Sequence, residues 1–350
     1  MRVLVTGHHG YIGSVLTPML QSAGHDVVGL DSDWFAPCVF GPELAEVPSL
    51  RLDVRDVTAA DLDGFDAVIH LAAISNDPLG DMNPDCTYDI NFHASVRLAR
   101  LARSVGVERF LFASSCSLYG ASDIRDVLAE TAPFNPVTPY GESKVMVEWM
   151  TSKLASDHFS PVFLRSATVY GLSPRLRADL VVNNLVGYAC TRGEVLLKSD
   201  GSPWRPLVHV EDLCAAYLAL LAAPREAVHK QAFNIGQTSE NYQIRQVADL
   251  VRELVPGSEV RLGDHAEPDL RCYRITGDKL QTRIPGYQPR WTVRTGIEQL
   301  RDAYRAEALT EEQFLSSRYT RLKEVKRLQA AGRLNDDLRW VIPAEEGFDQ

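Results

Sequence analysis

The chain has 350 residues, 45% of them hydrophobic and 23% charged, and a formal net charge of −10 at pH 7. This acidic balance argues against a general nucleic-acid or anionic-membrane binder, because both need a basic surface. The six cysteines are scattered without metal-ligand spacing, no apolar run approaches 18 residues, and the N-terminus has a strand pattern instead of a signal peptide. We therefore expect no metal and no membrane span, and a cytoplasmic location.

The first half of the chain alternates strand and helix patterns. Strand patterns occur at 2–6, 25–31, 67–72, 109–114 and 161–165, and helix patterns at 11–23, 91–105 and 140–157. Strand, helix and strand at this spacing predict right-handed crossovers. The expected fold class is α/β, with a Rossmann-type doubly wound parallel sheet and a smaller C-terminal substrate-binding lobe.

A glycine-rich turn joins the first strand to the first helix. Gly7, Gly10 and Gly13 form G-x-x-G-x-x-G, with Tyr11 and Ile12 between the last two glycines. Such glycines let the backbone turn tightly and approach a pyrophosphate, which then meets the positive end of the helix dipole. The turn predicts a dinucleotide site.

An acid closes the second strand. Asp31 can accept both hydroxyls of an adenine ribose and would repel a 2′-phosphate. Neither Ser32 nor Asp33 is basic, so NAD is favoured over NADP. Asp53, after the third strand, could contact the adenine, although an acidic surface turn is an alternative interpretation.

Tyr140 and Lys144 stand four residues apart on a predicted helix and therefore share one face. A nearby cation favours phenolate, so we expect the pKa of the tyrosine to fall from about 10 toward the range of a general base. With a nicotinamide cofactor, such a pair can move a proton at a sugar hydroxyl while hydride moves at the adjacent carbon.

The alternation loosens after Gly171, where prolines separate short elements. Helices are predicted at 178–191, 210–222, 244–254 and 293–306. We expect an NAD-binding Rossmann domain at 1–170, to which later segments return, a mainly substrate-binding lobe at 171–306, and a helical C-terminal extension at 307–350. The amphipathic pattern of the extension indicates packing on the body or on a partner subunit, or else a solvated helix.

Together these motifs resemble those of an extended short-chain dehydrogenase/reductase of the nucleotide-sugar epimerase/dehydratase family. The matching segments are the glycine turn, 53–56, 70–73, 114–120, the Tyr140–Lys144 pair, 164–171, 205–213 and 233–236.

The resemblance implies a Ser115, Tyr140 and Lys144 centre, in which Ser115 hydrogen-bonds the substrate oxygen and Lys144 also binds the nicotinamide ribose. It also implies a nucleotide-diphosphate sugar as substrate and a homodimer formed through the Asn91 and Tyr140 helices. The further cofactor contacts that it implies are Val54, Leu71, Ala72, Ala73 and Asn91, and the substrate contacts are Asn184, Arg205 and Arg271. Asn91 also resembles the family asparagine that supports the active-site helix. Arg175 and Arg177, which follow the turn at Gly171, are further candidates to face the ligand.

The reaction type depends on the residues after Ser115. Related 4,6-dehydratases carry an Asp and a Glu there, whereas this chain has Cys116 and Ser117. Without these carboxylates a 4,6-elimination is disfavoured. Cys116 is either an acid/base at C3 or C5 or a small core residue. We favour an NAD-dependent epimerase that works through a transient keto intermediate. A ketoreductase of 4-keto nucleotide sugars and a non-catalytic dinucleotide sensor are the alternatives.

Overall fold

A computed structural model describes residues 1–41, 47–75, 77–122, 126–197, 199–263 and 272–341 of the chain. The strands are β1 Arg2–Thr6, β2 Asp26–Asp31, β3 Ser49–Arg51, β4 Ala67–His70, β5 Arg109–Ser115, β6 Val127–Leu128, β7 Ser160–Ser166, β8 Thr168–Tyr170, β9 Glu194–Leu197, β10 Trp204–His209, β11 Gln231–Ile235, β12 Asn241–Gln243, β13 Glu259–Leu262 and β14 Arg274–Ile275. The α-helices are α1 Gly13–Ser22, α2 Asp77–Gly80, α3 Pro84–Tyr88, α4 Ser95–Ser104, α5 Pro139–Ser152, α6 Val181–Arg192, α7 Val210–Ala222, α8 Arg225–Val228, α9 Ile244–Leu254, α10 Asp278–Arg283, α11 Val293–Ala306, α12 Glu311–Leu315 and α13 Arg321–Ala330.

Seven strands form one parallel sheet in the order β3-β2-β1-β4-β5-β7-β11. The strand order reverses beside β1, which creates a crevice outside the carboxyl ends of β1 and β4. The strands are short and apolar, and Val3 to Val5 and Ala67 to Ile69 are fully buried because helices cover both faces. The doubly wound Rossmann-type prediction is confirmed.

Helix α5 is shorter than predicted. It begins after Thr138, whose hydroxyl accepts from the backbone of Gly141, and it ends at Ser152 instead of continuing to 157. Ser156 and Phe159 exchange two backbone hydrogen bonds of 3.0 and 3.2 Å, and Phe159 is fully buried. This tight turn redirects the chain into β7, which a longer helix could not do.

The second lobe is built from small sheets and longer helices. Its sheets are β12-β10-β8 and β13-β9. The predicted ranges 210–222, 244–254 and 293–306 match α7, α9 and α11, whereas α6 begins three residues later than predicted. Helix α7 packs against α1 in the core of the seven-stranded sheet. The domain boundaries at 170 and 306 stay a prediction.

The C-terminal segment, residues 307–341, packs on the body of the molecule. Phe314 and Tyr319 are buried in the core of the second lobe. Val325 and Leu328 are buried in the core on one face of the parallel sheet. The segment therefore contacts both the second lobe and the parallel sheet. Its sequence left open packing on the body, packing on a partner subunit or a solvated helix, and the structure shows packing on the body.

Candidate active site

A cleft of about 910 Å³ opens at the carboxyl ends of the parallel strands, between the sheet and the second lobe. This volume is at the upper end of the ~300–1,000 Å³ typical of ligand pockets. The cleft brings together most residues selected from the sequence: Gly7, Gly10, Tyr11, Ile12, Gly13, Asp31, Asp53, Val54, Leu71, Ala72, Ala73, Ser115, Tyr140, Lys144, Asn184 and Arg205. Residues far apart in the sequence thus line one cleft.

The glycine turn has no room for side chains. Gly7 has φ +73°, and a Cβ there would lie 2.8 Å from the backbone nitrogen of Ala72. A Cβ on Gly13 would lie 2.3 Å from the carbonyl oxygen of Gly7. The bare backbone in front of α1 therefore fits a pyrophosphate at the helix N-terminus.

Asp31 lies at the end of β2 with its carboxylate held by the backbone. Its two oxygens accept the amides of His9 at 3.1 Å and Asp33 at 2.9 Å. Burial raises its pKa, while these hydrogen bonds oppose the change. Each oxygen keeps a lone pair that can accept a ribose hydroxyl. Asp53 is held differently, because it forms an ion pair with Arg55 at 2.7 Å.

Ser115, Tyr140 and Lys144 meet where β5 ends and α5 begins. The Ser115 hydroxyl lies near enough to the Tyr140 phenol to lower its pKa. The Lys144 ammonium lies 5.4 Å from the centre of the Tyr140 ring and donates to the carbonyl of Ala113 at 2.8 Å. The three groups therefore form one cluster in the cleft that contains the glycine turn.

The electrostatics of this cluster differ from the expectation. Burial raises the pKa of Tyr140 to about 12; the Ser115 hydroxyl lowers it, the Asp77 carboxylate raises it and Arg177 lowers it. Burial lowers the pKa of Lys144 to about 7. Burial therefore favours the neutral forms of both Tyr140 and Lys144. With the protein groups alone, the prediction that Lys144 lowers the pKa of Tyr140 is wrong.

A buried polar network holds α5 against the sheet. Glu148 accepts from Ser114 at 2.5 Å and forms an ion pair with Arg165 at 2.7 Å. Arg165 also donates to the hydroxyl of Tyr119 at 3.0 Å. The network ties α5, one turn beyond Lys144, to β5 and β7, and so fixes Tyr140 and Lys144 relative to Ser115.

Asn91 supports the cleft but does not line it. Its amide exchanges hydrogen bonds of 2.8 and 2.9 Å with the backbone of Ile74, and it donates to Ser143 at 3.4 Å. It therefore holds the loop after β4 against α5. The prediction of a cofactor contact does not match this geometry, because the side chain is used within the protein.

Cys116 is likewise absent from the cleft wall. Its thiol is fully buried and donates to the carbonyl of Arg165 at 3.1 Å, and burial raises its pKa far above the ordinary range. A thiol so enclosed cannot serve as an acid/base at a sugar carbon. The core-residue interpretation fits instead, and Ser117, one position later, faces the cleft.

The second lobe contributes the far end of the cleft. Asn184 donates to the carbonyl of Ala178 at 2.8 Å, and the Arg205 guanidinium lies 5.9 Å from the centre of the Tyr273 ring. Both residues line the cleft. Arg271 lies outside the described residues, so its role stays a prediction.

Arg177, which the sequence analysis selected as a residue that faces the ligand, lies in the cleft wall. It pairs with Asp179 at 2.8 Å and donates to Ser75 at 3.1 Å. Sequence reasoning missed Ser75, Asp77 and Arg321, which also line the cleft. Ser75 and Asp77 follow β4, so the rule that ligands bind outside the carboxyl ends of strands could have found them. Arg321 lies far beyond the glycine turn in the sequence, and no local pattern marks it.

In the part of the chain that the structure describes, no group of three or more His, Cys, Asp or Glu side chains is arranged to hold a metal ion. No helix within the same residues has both the length and the hydropathy needed to cross a membrane.

The profile of the NAD dependent epimerase/dehydratase family matches residues 3–236, and the chain belongs to this family. It is an NAD-dependent enzyme of the extended short-chain dehydrogenase/reductase class, as its motifs predicted. The UDP-glucose 4-epimerase of Mycolicibacterium smegmatis is 29% identical over 329 residues, which cover 87% of this chain and 99% of the relative.

Solved structures of similar proteins share the fold. MoeE5 in complex with UDP-glucuronic acid and NAD has a TM-score of 0.76 and 28% identity, covering 87% of this chain and 99% of MoeE5. The UDP-glucose 4-epimerase of Thermus thermophilus, in complex with NAD, has a TM-score of 0.73 and 26% identity, covering 87% of this chain and 99% of the relative.

Proposed function

We propose that the protein is an NAD-dependent epimerase of a nucleotide-activated sugar that works through a transient keto intermediate. The observation that carries this proposal is the clustering of Ser115, Tyr140 and Lys144 in the cleft that also contains the glycine turn and Asp31. Asp31 supports NAD over NADP because its carboxylate repels a 2′-phosphate.

In this mechanism Tyr140 and Ser115 act on the oxygen of the sugar hydroxyl. Tyr140 takes the proton of the sugar hydroxyl and returns it, while Ser115 donates a hydrogen bond to the same oxygen. NAD, when bound, supplies the hydride acceptor and a cationic ring that favours the phenolate of Tyr140. Lys144, held by Ala113, positions the phenol and is placed to bind the nicotinamide ribose. Rotation of the keto sugar between the two half-reactions inverts the stereocentre.

The proposed substrate is a nucleotide-diphosphate sugar. Asn184 and Arg205, at the far end of the cleft, would hold the nucleotide diphosphate, for which a guanidinium offers a two-pronged hydrogen-bond fork. The relatives named above include UDP-glucose 4-epimerases and a complex with UDP-glucuronic acid. UDP-glucose and UDP-glucuronic acid are therefore the first substrates to test.

The test is incubation of the full-length protein with each sugar nucleotide, followed by NMR of the sugar and absorbance at the reduced-nicotinamide band. We expect inversion at one carbon with no net gain of NADH. Stoichiometric NADH consumption with a 4-keto nucleotide sugar would instead establish the ketoreductase. Solvent deuterium at C3 or C5 would contradict the hydride mechanism.

We also propose a homodimer formed through α4 and α5. The outer face of α5 exposes Trp149, 61% accessible, and Met146, 37% accessible. Apolar side chains of this size on one helix face favour a protein contact. Light scattering should give twice the chain mass, and Trp149→Glu should yield monomers.

We further propose a cytoplasmic location. The six cysteines of the protein are free thiols, which suits a reducing compartment such as the cytoplasm.

A further inference from the structure

The C-terminal segment reaches the cofactor side of the cleft. It carries Arg321, which lines the cleft together with Gly10 and Asp31. MoeE5 is matched over 99% of its own length but covers only 87% of this chain. About an eighth of this chain therefore has no counterpart in that NAD complex.

The end of the segment is fastened to the two loops that border the adenosine end of the cleft. Trp340 donates its indole N–H to the carbonyl of Ser32 at 2.6 Å. Arg55 donates to the carbonyls of Asp337 at 2.8 Å and Leu338 at 3.2 Å. The same Arg55 pairs with Asp53 of the cleft wall, so the segment is bonded to the loops after β2 and β3 at once.

Arg321 lines this region and forms no ion pair with a carboxylate among the described residues. Its side chain is almost fully buried, and its guanidinium lies 4.3 Å from the centre of the Phe35 ring. One terminal nitrogen, Nη2, donates to the carbonyl of Arg175 at 3.0 Å. The other, Nη1, has no hydrogen-bond partner within the described part of the chain.

Two other guanidiniums surround the same point. Arg177 is neutralised by Asp179. Arg175 donates to the carbonyls of Phe35 and Ala36, and its Nε has no partner among the described residues. The Asp31 and Asp33 carboxylates act on Arg175. Arg321 is therefore the arginine of this group whose guanidinium keeps an unsatisfied nitrogen and no ion pair among the described residues, and buried cations are normally paired with an anion. Burial and the neighbouring arginines lower the pKa of Arg321 to about 10, which leaves it charged at neutral pH.

We propose that the C-terminal segment is a third component of the cofactor site, in which Arg321 binds the diphosphate of NAD and the Trp340 contact holds the adenosine loops closed. A diphosphate supplies the anion, and the glycine turn in the same cleft presents the helix N-terminus for it. NAD is then a retained group, released only when the segment detaches. This inference does not rest on the epimerase reaction.

The test compares Arg321→Met with Lys326→Met, which removes one positive charge from the exposed face of the same helix. Dissociation constants for NAD, ADP, adenosine and UDP are measured by calorimetry on the full-length chain. We expect Arg321→Met to weaken NAD and ADP by about tenfold or more while adenosine changes less than twofold. Lys326→Met should leave all four unchanged.

Three outcomes would overturn the proposal. Equal weakening of adenosine and NAD would mean that the substitution only deforms the adenosine wall. If UDP binds more weakly while the affinity for NAD is unchanged, the anion that Arg321 binds belongs to the sugar nucleotide instead of NAD. If Arg321→Met does not fold, Trp340→Ala decides alone: faster release of labelled NAD from the holoenzyme supports the proposal, and an unchanged rate contradicts it.

Discussion

The cofactor half of the molecule and the C-terminal segment are stabilised in different ways. The cofactor half contains a seven-stranded parallel sheet whose central strands are buried on both faces. The C-terminal segment has two short helices, α12 and α13, and is held by buried apolar side chains such as Phe314 and Val325 and by hydrogen bonds such as that from Trp340 to Ser32. Such a segment is docked on the body by side-chain contacts, whereas the strands of the sheet are joined by backbone hydrogen bonds, so the segment can open locally while the sheet stays folded.

A second contrast is between a buried ion pair beside the parallel sheet and an exposed ion pair in the second lobe. Around α5 the ion pair of Glu148 with Arg165 is buried and shares its hydrogen bonds with neighbours. In the second lobe the pair of Arg294 with Glu253 is exposed to solvent on both sides. Buried pairs are costly to break and exposed pairs contribute little. Four predictions test how sharp this division is, beginning with the largest effect.

The largest effect is expected at the Tyr140 phenol. Tyr140→Phe removes the hydroxyl proposed to move the substrate proton, and we expect kcat/KM to fall by about 10²–10⁴-fold. NAD affinity should change little, because the ring and the glycine turn remain. Turnover is measured by NMR of the sugar and NAD affinity by calorimetry. Unchanged turnover would remove Tyr140 from the mechanism.

The next effect concerns stability. Arg165→Met leaves the buried Glu148 carboxylate without its cation, and we expect the free energy of unfolding to fall by about 3–5 kcal/mol. Arg294→Met, the matched change at the exposed pair, should give no measurable loss. Urea unfolding of both variants checks this. Similar losses would show that the two parts of the molecule do not differ as described.

Docking of the C-terminal segment on the second lobe is tested at Gly187 in α6. A Cβ there would lie 2.0 Å from the Phe314 ring, so Gly187→Ala should destabilise the protein by about 1–3 kcal/mol. In a Phe314→Ala background the clash is absent, and the same substitution should be neutral or stabilising, since Ala favours a helix. Thermal unfolding of the unsubstituted protein, the two single variants and the double variant gives the coupling energy between positions 187 and 314. If the two substitutions change the stability additively, the docking of Phe314 against α6 is contradicted.

The fourth effect is a pH dependence from Lys144. Its pKa falls from the ordinary 10.5 to about 7 on burial, so the unfolded state binds more protons between these pH values. The free energy of unfolding therefore rises with pH across that window, by at most about 1.4 kcal/mol per pH unit. Below pH 7 the full destabilisation that comes from burying Lys144 is present. Lys144→Met should abolish this rise, whereas the exposed Lys153→Met should keep it. Parallel pH profiles for all three proteins would contradict the lowered pKa.

Much of the site could be predicted because its residues follow strands. Gly7, Asp31 and Ser115 stand at or just beyond the carboxyl ends of β1, β2 and β5, and the parallel pairing of these strands brings their ends to one edge. Tyr140 and Lys144 are linked by helical spacing alone. A local sequence pattern is enough to find such residues, because the parallel sheet places the carboxyl ends of its strands at one edge.

Other features required the packed molecule. Cys116 and Ser117 differ by one position in sequence, yet only Ser117 faces the cleft, because a 3-10 turn at Cys116–Tyr119 directs the thiol toward Arg165. The lost acidity of Tyr140 arises from burial, which depends on elements distant in sequence. Arg321 enters the cleft only because α13 docks beside Phe35.

The sequence by itself determined the alternation of strands and helices, the glycine turn, the acid after β2 and the Tyr–Lys spacing, since each follows from interactions between residues close together in the chain. The tertiary structure decided which side chains reach solvent in the cleft, which charges are buried, and where residues 307–341 lie. Those properties depend on desolvation and on contacts between distant segments, and no local pattern encodes them.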